Sequence, residues 1–266
     1  MLEQIDLNEV VSIAISAGEK VLDVYQTDFE VEKKEDQSPL TLADRQSHMI
    51  ITTKLNERYP DIPILSEEGR EIDYSERSRW GYLWIVDPLD GTKEFVKKNG
   101  EFTINIALVH HGKPVLGVIY APFLDTLYVA RKGMGAYKLE KATASMDKGQ
   151  WMDQAEKLPL SFDKKRFTVV ASRSHLSPET EEYIDHLKAL HGNISITSAG
   201  SSLKLCLVAE GKADVYPRFA PTMEWDTAAG QAIVEQAGGK VLTVEHERPL
   251  TYNKENLLNP WFIASK

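Results

Sequence analysis

The apolar run Leu83-Trp84-Ile85-Val86 gives way at once to Asp87-Pro88-Leu89-Asp90-Gly91-Thr92, and this junction restricts what the chain can build. The run reads as a buried strand. Pro88 suits the second position of a tight turn, and Gly91 permits a backbone approach that a side chain would block. Asp87 and Asp90, three residues apart across such a turn, can point at one spot. Two ionised carboxylates ~4 Å apart repel by roughly 4 kcal/mol at an effective dielectric near 20. A divalent cation is the simplest compensation, and oxygen-only ligands favour a hard ion such as Mg²⁺. Thr92 adds a hydroxyl, and a helix starting there would turn backbone N–H groups toward a phosphate. The competing reading, an ordinary Asp-Pro corner with two solvated carboxylates, stays open on this segment alone.

The surrounding pattern changes character midway. Helices are expected over Asn8–Tyr25 and from Thr41 to Tyr59, with a charged, exposed stretch from Glu30 to Asp36 between them. Ile62–Leu65 reads as a short strand and Glu71–Arg79 as a polar loop. Thr103–Val109, Val115–Tyr120, Thr126–Ala130 and Ala136–Leu139 read as strands of a largely antiparallel region. Glu140–Leu158 is polar and weakly patterned, an excursion near a boundary. Beyond it, strands at Phe167–Ala171, Ile194–Thr197, Ala213–Tyr216 and Lys240–Val244 alternate with helices. These start at Ser177-Pro178, near Ser201 and near Trp225. The expected division is therefore an α+β half, 1–158, and an α/β half, 159–266.

Composition narrows the partners. The formal net charge of −9 argues against binding a nucleic-acid polymer, which needs basic surface. A small anionic substrate remains compatible, because bound metal ions reverse the local sign of an acidic pocket. Cys206 is the single cysteine, so no intramolecular disulfide forms. No apolar stretch approaches a membrane span, and Met1–Asp6 lacks the pattern of a secretion signal. The expected compartment is the cytoplasm, with peripheral contact at the inner membrane face left open, and monomer and homodimer are equally compatible.

Four further acidic residues offer themselves beside the Asp87–Asp90 turn. Glu67-Glu68 follows the Ile62–Leu65 strand; as an isolated pair it would simply be solvated. Asp226, in Trp225-Asp226-Thr227-Ala228-Ala229, stands at the start of a helix of small residues, either as a cap or as a ligand placed by a rigid helix end. Asp44 sits on what reads as the polar face of the second helix. It is either solvated or the acceptor for the Thr92 proton, since a threonine hydroxyl needs an acceptor behind it to act on water. Together, Asp44, Glu67-Glu68, Asp87–Thr92 and Trp225–Ala229 resemble, in order and spacing, the lithium-sensitive, Mg²⁺-dependent phosphomonoesterases of the inositol monophosphatase superfamily. The likeness runs over nearly the whole chain and implies a layered αβαβα sandwich. It implies that Glu67, Asp87, Asp90 and Asp226 bind metal through side chains and Leu89 through its carbonyl. It further implies that Asp44 and Thr92, with Glu67, activate water, and that Gly91 and Thr92 meet the phosphate. Two or three Mg²⁺ ions are implied, with Mn²⁺ as a substitute and Li⁺ as an inhibitor. Glu68 stays ambiguous.

The second half carries the choice of substrate. Ser172-Arg173-Ser174-His175 follows a strand, Gly200-Ser201-Ser202-Leu203-Lys204 opens a helix, and Tyr216-Pro217-Arg218 ends a strand. Lys204, Arg218 and a helix start in an acidic protein suggest a second anion site, with His175 able to donate to a phosphate or ribose oxygen. Each of them also has an ordinary role as a cap or a solvated side chain. The set is similar to the 3′(2′),5′-bisphosphate nucleotidase branch of the superfamily. That branch releases the 3′-phosphate of adenosine 3′,5′-bisphosphate and also acts on its sulfated analogue, in sulfur assimilation. By that likeness His175, Ser201, Lys204 and Arg218 contact the nucleotide, alongside Glu67, Leu89, Asp90, Gly91, Thr92 and Asp226. The alternatives are the same chemistry on inositol monophosphate or fructose 1,6-bisphosphate, and a non-catalytic, cation-dependent nucleotide-binding module. A nucleoside triphosphatase lacks support, since no Gly-x-x-x-x-Gly-Lys-Ser/Thr loop is present.

Overall fold

The computed structural model describes residues 1–33, 39–146, 151–162, 166–171 and 177–266. Helix α1 (Leu7–Tyr25) starts where the Asp6 carboxylate accepts the Asn8 N–H, and it buries a stripe that includes Val10, Ala14, Ala17 and Val21. The antiparallel pair β1 (Val31–Lys33) and β2 (Pro39–Thr41) leads into α2 (Leu42–Arg58). The charged stretch after α1 thus contributes a strand, and its Glu32 pairs with Arg45 of α2 at 2.6 Å.

Seven strands then form one sheet in chain order. They are β3 (Ile64–Ser66), β4 (Tyr82–Asp90), β5 (Thr103–His110), β6 (Lys113–Ala121), β7 (Thr126–Arg131), β8 (Gly135–Glu140) and β9 (Glu156–Lys157). Only β3 and β4 pair in parallel; the other neighbours are antiparallel. Short helices interrupt the run: α3 (Tyr74–Arg77), α4 (Thr92–Val96), α5 (Ala142–Met146) and α6 (Trp151–Gln154). The second sheet is built from β10 (Thr168–Ala171), β11 (Ser195–Ser198), β12 (Val215–Arg218), β13 (Lys240–Thr243) and β14 (Phe262–Ser265), in the order β11-β10-β12-β14-β13. The first three of these run parallel, and β14 is antiparallel to both its neighbours. Helices α7 (Pro178–His191), α8 (Leu203–Glu210) and α9 (Glu224–Gln236) belong to this half.

The layers follow from which faces are apolar. Helices α1 and α2 cover one face of the seven-stranded sheet. Helices α8 and α9 fill the space between the two sheets. Helix α7 closes the outer face of the second sheet, where Ile184 and Leu187 meet Val169, Ala171 and Val215. This is the expected αβαβα sandwich. Its middle layer is thin because small residues face each other. A Cβ on Gly117 of β6 would lie 2.4 Å from the Ala229 carbonyl oxygen of α9, and one on Gly230 would lie 2.3 Å from a Leu205 methyl of α8.

Four further expectations change. Glu71–Arg79 is not only loop: it contains α3, whose Arg77 is 4% exposed. The acidic junction is not a free turn, because β4 runs on to Asp90 with a register shift between Asp87, opposite Asn105, and Asp90, opposite Thr103. The polar stretch Glu140–Leu158 carries α5, α6 and the last strand of the first sheet. Strand β14 is not among the expected elements, yet it links β12 to β13. Among the described residues, no helix is long and apolar enough to cross a membrane.

The contact between Gly117 and the α9 backbone makes a specific demand. Gly117→Ala is expected to destabilise the protein by about 1–3 kcal/mol, the range for overpacking against atoms that cannot rotate away. Urea denaturation followed by circular dichroism measures it.

Candidate active site

Helix α2 positions the first functional side chain through its cap. Asp44 Oδ2 accepts the Thr41 N–H at 2.7 Å and the Thr41 hydroxyl at 2.6 Å, which fixes the carboxylate at the helix start. Its Oδ1 accepts the Thr92 hydroxyl at 3.2 Å. The Leu89 carbonyl lies equally far from that hydroxyl, at 3.2 Å. The expected polar face for Asp44 is corrected here: Asp44 is buried, in line with Ser47, Ile51 and Leu55. The inner stripe of α2 is polar at its N-terminal end because that end meets the site rather than the core. Ser47 reinforces the contact by donating to the Pro88 carbonyl at 2.7 Å.

The end of β4 supplies Asp87 and Asp90. Asp87 is 1% exposed and its Oδ1 accepts the Leu89 N–H at 3.0 Å. Asp90 Oδ2 accepts the Ser202 hydroxyl at 2.6 Å, with Asn105 Nδ2 at 3.4 Å. Asn105 also donates to Ser202 Oγ at 2.9 Å, and Ser202 Oγ lies 2.9 Å from the Asp226 carbonyl oxygen. Ser202 therefore joins β4 to the starts of α8 and α9. Asp226, on the first turn of α9, caps it by accepting the Met223 N–H at 2.8 Å. Glu67 leaves β3 beside β4, and its N–H donates to the Val86 carbonyl at 3.1 Å. Parallel pairing of β3 and β4 brings Glu67 and Asp87 out at the same end of the sheet.

Oxygens of Glu67, Asp87 and Asp226 all lie within 4.8 Å of one another. Burial, then the charges of Glu67, Asp90 and Asp226, hold the Asp87 carboxyl well above the usual range. Burial, then Asp90, push Asp226 up to about 8, against the Met223 N–H and Arg218, which lower it. An all-oxygen donor set whose members resist ionising next to one another fits a hard divalent cation.

A cavity of about 280 Å³ opens from this cluster, lined by Asp90, Gly91, Ser201, Lys204, Arg218 and Asp226 among others. Gly91 has φ +88°, and a Cβ there would meet the Glu101 carbonyl oxygen and Ser201 Cβ at 3.2 Å each. Lys204 is 8% exposed and donates to the Ser201 carbonyl at 2.6 Å. Burial lowers its pKa to about 8, opposed by Asp90. Arg218 donates to the Pro221 carbonyl at 2.8 Å, while its Nε is buried with no hydrogen-bond partner. Ser201 Oγ is likewise buried without one. Ser201 is not the helix cap: it has φ +45°, and Ser202 occupies the cap position before Leu203. His175 lies outside the described residues. The charge of Glu68 acts on His48, raising a pKa that burial lowers more strongly.

Asp44, Glu67, Asp87, Leu89, Asp90, Gly91, Thr92, Ser201, Lys204, Arg218 and Asp226 thus converge around one cluster and one cavity. Sequence reasoning passed over Ser47 and Asn105 and gave Ser202 only to an anion site. Asn105 carries a legible signal, an amide between Ile104 and Ile106 in a strand buried at nearly every position. Ser47 and Ser202 carry none, because their partners lie 41 and 112 residues away.

Comparison with known proteins fits this geometry. The model of the inositol monophosphatase family matches residues 3–261. The chain is 45% identical over 265 residues to the 3′(2′),5′-bisphosphate nucleotidase CysQ of Shigella flexneri, covering 97% of this chain and 99% of that protein. It is 37% identical to the protein of the same name from Haemophilus influenzae, covering 97% and 91%. The crystal structure of CysQ from Bacteroides thetaiotaomicron superposes with a TM-score of 0.85 at 51% identity, covering 97% of this chain and 95% of that one.

The raised carboxyl pKa values set a pH dependence. A carboxyl with a folded pKa above its unfolded value binds its proton more tightly when folded. It therefore costs stability as pH rises from the unfolded value near 4 through the folded value. For Asp226 that window ends at about 8. In EDTA, Asp226→Asn is expected to melt at a higher temperature than wild type, by a margin that grows from pH 5 to pH 8. Added Mg²⁺ should narrow the margin by stabilising wild type alone. Thermal melts across that range measure both effects.

Proposed function

The chain belongs to the inositol monophosphatase family, whose enzymes depend on metal ions, and we propose that it is a Mg²⁺-dependent 3′(2′),5′-bisphosphate nucleotidase. It hydrolyses the 3′-phosphate of adenosine 3′,5′-bisphosphate to AMP and phosphate, accepts the sulfated analogue as a second substrate, and serves sulfur assimilation. One observation carries the choice of substrate. The cavity that adjoins the carboxylate cluster also holds buried Lys204 and two buried polar atoms without partners, Ser201 Oγ and Arg218 Nε. Lys204 and Arg218 give that lining two cationic side chains, which suit a second phosphate. Adenosine 3′,5′-bisphosphate carries one as its 5′-phosphate, and inositol monophosphate has none.

Glu67, Asp87, Asp90, Asp226 and the Leu89 carbonyl would hold Mg²⁺, in two or three sites, with Mn²⁺ as a substitute and Li⁺ as an inhibitor. Bound metal supplies a water of lowered pKa and charge stabilisation at the phosphate. The chain's own groups do the rest. With its proton directed to Asp44, the Thr92 hydroxyl has lone pairs free to orient a water and take its proton. Capping by Thr41 keeps Asp44 in place for this. Gly91 and the start of α4 offer N–H groups to the 3′-phosphate, while Lys204, Arg218, Ser201 and His175 hold the nucleotide end. Water oxygen bonds to phosphorus, the ester bond to the ribose O3′ breaks, and that oxygen takes a proton from solvent water as AMP leaves. A non-catalytic binding module would need the cation cluster but has no use for the Asp44–Thr92 pair. The division of labour is then between a metal-binding half, 1–158, and a half, 159–266, that adds substrate contacts and Asp226. The cytoplasm is the proposed compartment, supported by the lone cysteine, Cys206.

Phosphate release from adenosine 3′,5′-bisphosphate, inositol 1-phosphate and fructose 1,6-bisphosphate in Mg²⁺ tests the reading. The nucleotide should be preferred and Li⁺ should inhibit; preference for inositol 1-phosphate would defeat the assignment. Thr92→Val is expected to lower kcat on the order of 10²–10⁴-fold, the usual contribution of positioned proton transfer. Lys204→Met should raise KM for the bisphosphate about tenfold or more, the loss of roughly 1.4 kcal/mol of binding. Its effect on inositol 1-phosphate should be small.

A further inference from the structure

We infer that Arg77 is a positioning residue that sets the separation of Glu67 from Asp226, and so the affinity of the cluster for its cation. The inference rests on the reading of that cluster as a metal site. Arg77 is nearly fully buried, and each of its hydrogen-bond acceptors is an uncharged oxygen. Its Nε donates to the Ile72 carbonyl at 3.1 Å. One terminal nitrogen donates to the Lys254 carbonyl at 2.6 Å and Asn253 Oδ1 at 3.2 Å, the other to the Glu255 carbonyl at 2.9 Å. Asn253 returns a bond to the Arg77 carbonyl at 2.6 Å. A guanidinium spread over four such acceptors fixes geometry rather than neutralising charge.

The same loop is gripped from the opposite side. Glu224, fully buried at the first position of α9, accepts the Asn253 N–H at 2.5 Å, the Lys254 N–H at 3.0 Å and Lys254 Nζ at 2.6 Å. Two residues further along α9 is Asp226. Arg77 thus ties the segment that follows Glu67, at Ile72, to residues 253–255, and Glu224 ties those residues to the start of α9, two positions before Asp226. Asp87 needs no such link, because β4 is paired on both edges. Glu67 and Asp226 arrive on different segments and repel each other. With Arg77 altered, the Glu67–Val86 backbone bond, the Asp226 cap and the Ser202 contact still oppose that repulsion, but the brace between the two segments is lost, and their separation can grow. The Asp44–Thr92 pair lies on α2 and α4, outside this path, and its proton acceptor is untouched.

Three variants test this: Arg77→Lys, Asn253→Gly and, as a control, Tyr128→Phe. Asn253→Gly deletes both side-chain links to Arg77 while tolerating the φ of +63° found there. It keeps the test informative if Arg77→Lys fails to fold. Tyr128→Phe removes a buried hydrogen bond to Glu210 far from the loop. Terbium(III) luminescence and its displacement by Mg²⁺ report metal affinity without turnover. Arg77→Lys and Asn253→Gly should weaken Mg²⁺ about 10–100-fold, as loss of an outer support to metal ligands does. Their kcat at saturating Mg²⁺ should stay near wild type, and Tyr128→Phe should bind Mg²⁺ normally. Wild-type affinity in the folded Arg77 and Asn253 variants overturns the inference, as does an equal loss in Tyr128→Phe. A wild-type protein that binds neither ion overturns it together with the metal reading. One that binds Mg²⁺ but releases no phosphate from the bisphosphate overturns the nucleotidase reading alone, and the affinities still decide the role of Arg77.

Discussion

Mutual repulsion among buried carboxylates is the constraint to which the rest of the structure answers. Glu67, Asp87 and Asp226 bring oxygens within 4.8 Å of one another, and Asp87 is almost without water. Left alone, such a cluster resists ionising, which the raised carboxyl pKa values of Asp87 and Asp226 express. A fold holds the arrangement only by supporting each member from behind. The support is specific in each case: a strand bulge for Asp87 and Asp90, a parallel strand end for Glu67, a helix cap for Asp226.

The supports are shared between elements that are distant in the chain. Ser202 donates to Asp90 and lies against the Asp226 carbonyl oxygen, so one hydroxyl ties the end of the first sheet to the starts of two helices. Ser47 holds the Pro88 carbonyl from α2. Gly117 and Gly230 let α9 come close enough to β6 and α8 for these contacts to close. The thin middle layer is therefore a condition of the site, and its small side chains are as consequential as the acidic ones. The same economy appears in Asp44, which caps α2 with one oxygen and receives Thr92 with the other.

How much was legible depends on whether a signal was local. The αβαβα layering was implied by the family resemblance, and runs of strand and helix pattern, which reflect burial of neighbouring side chains, were consistent with it. The acidic positions stood out because carboxylates at strand and helix ends are conspicuous within a few residues. Asp44 was placed on the wrong face, since a stripe of polar residues looks solvated whether it meets water or a polar site. The helix after Gly200 was expected to start near Ser201, with a cap as one role open to that serine; its positive φ leaves the cap position to Ser202. Arg77 sat in what read as a polar loop, and its burial depends on carbonyls 177 and 178 residues away.

The sequence by itself determined the order of the main helices and strands, the acidic positions available to a site, the oxygen-only chemistry they offer and the resemblance to a phosphatase family. Those properties are written in short-range pattern and in residue type. Tertiary structure alone decided which carboxylates share a single spot, which hydroxyls steady them, and that Lys204, Ser201 and Arg218 face the same cavity as Asp90 and Asp226. The physical reason is the range of the interactions. Hydrogen bonds and charge pairs act over a few ångströms in space, and here the groups they join are separated by up to 178 residues of chain.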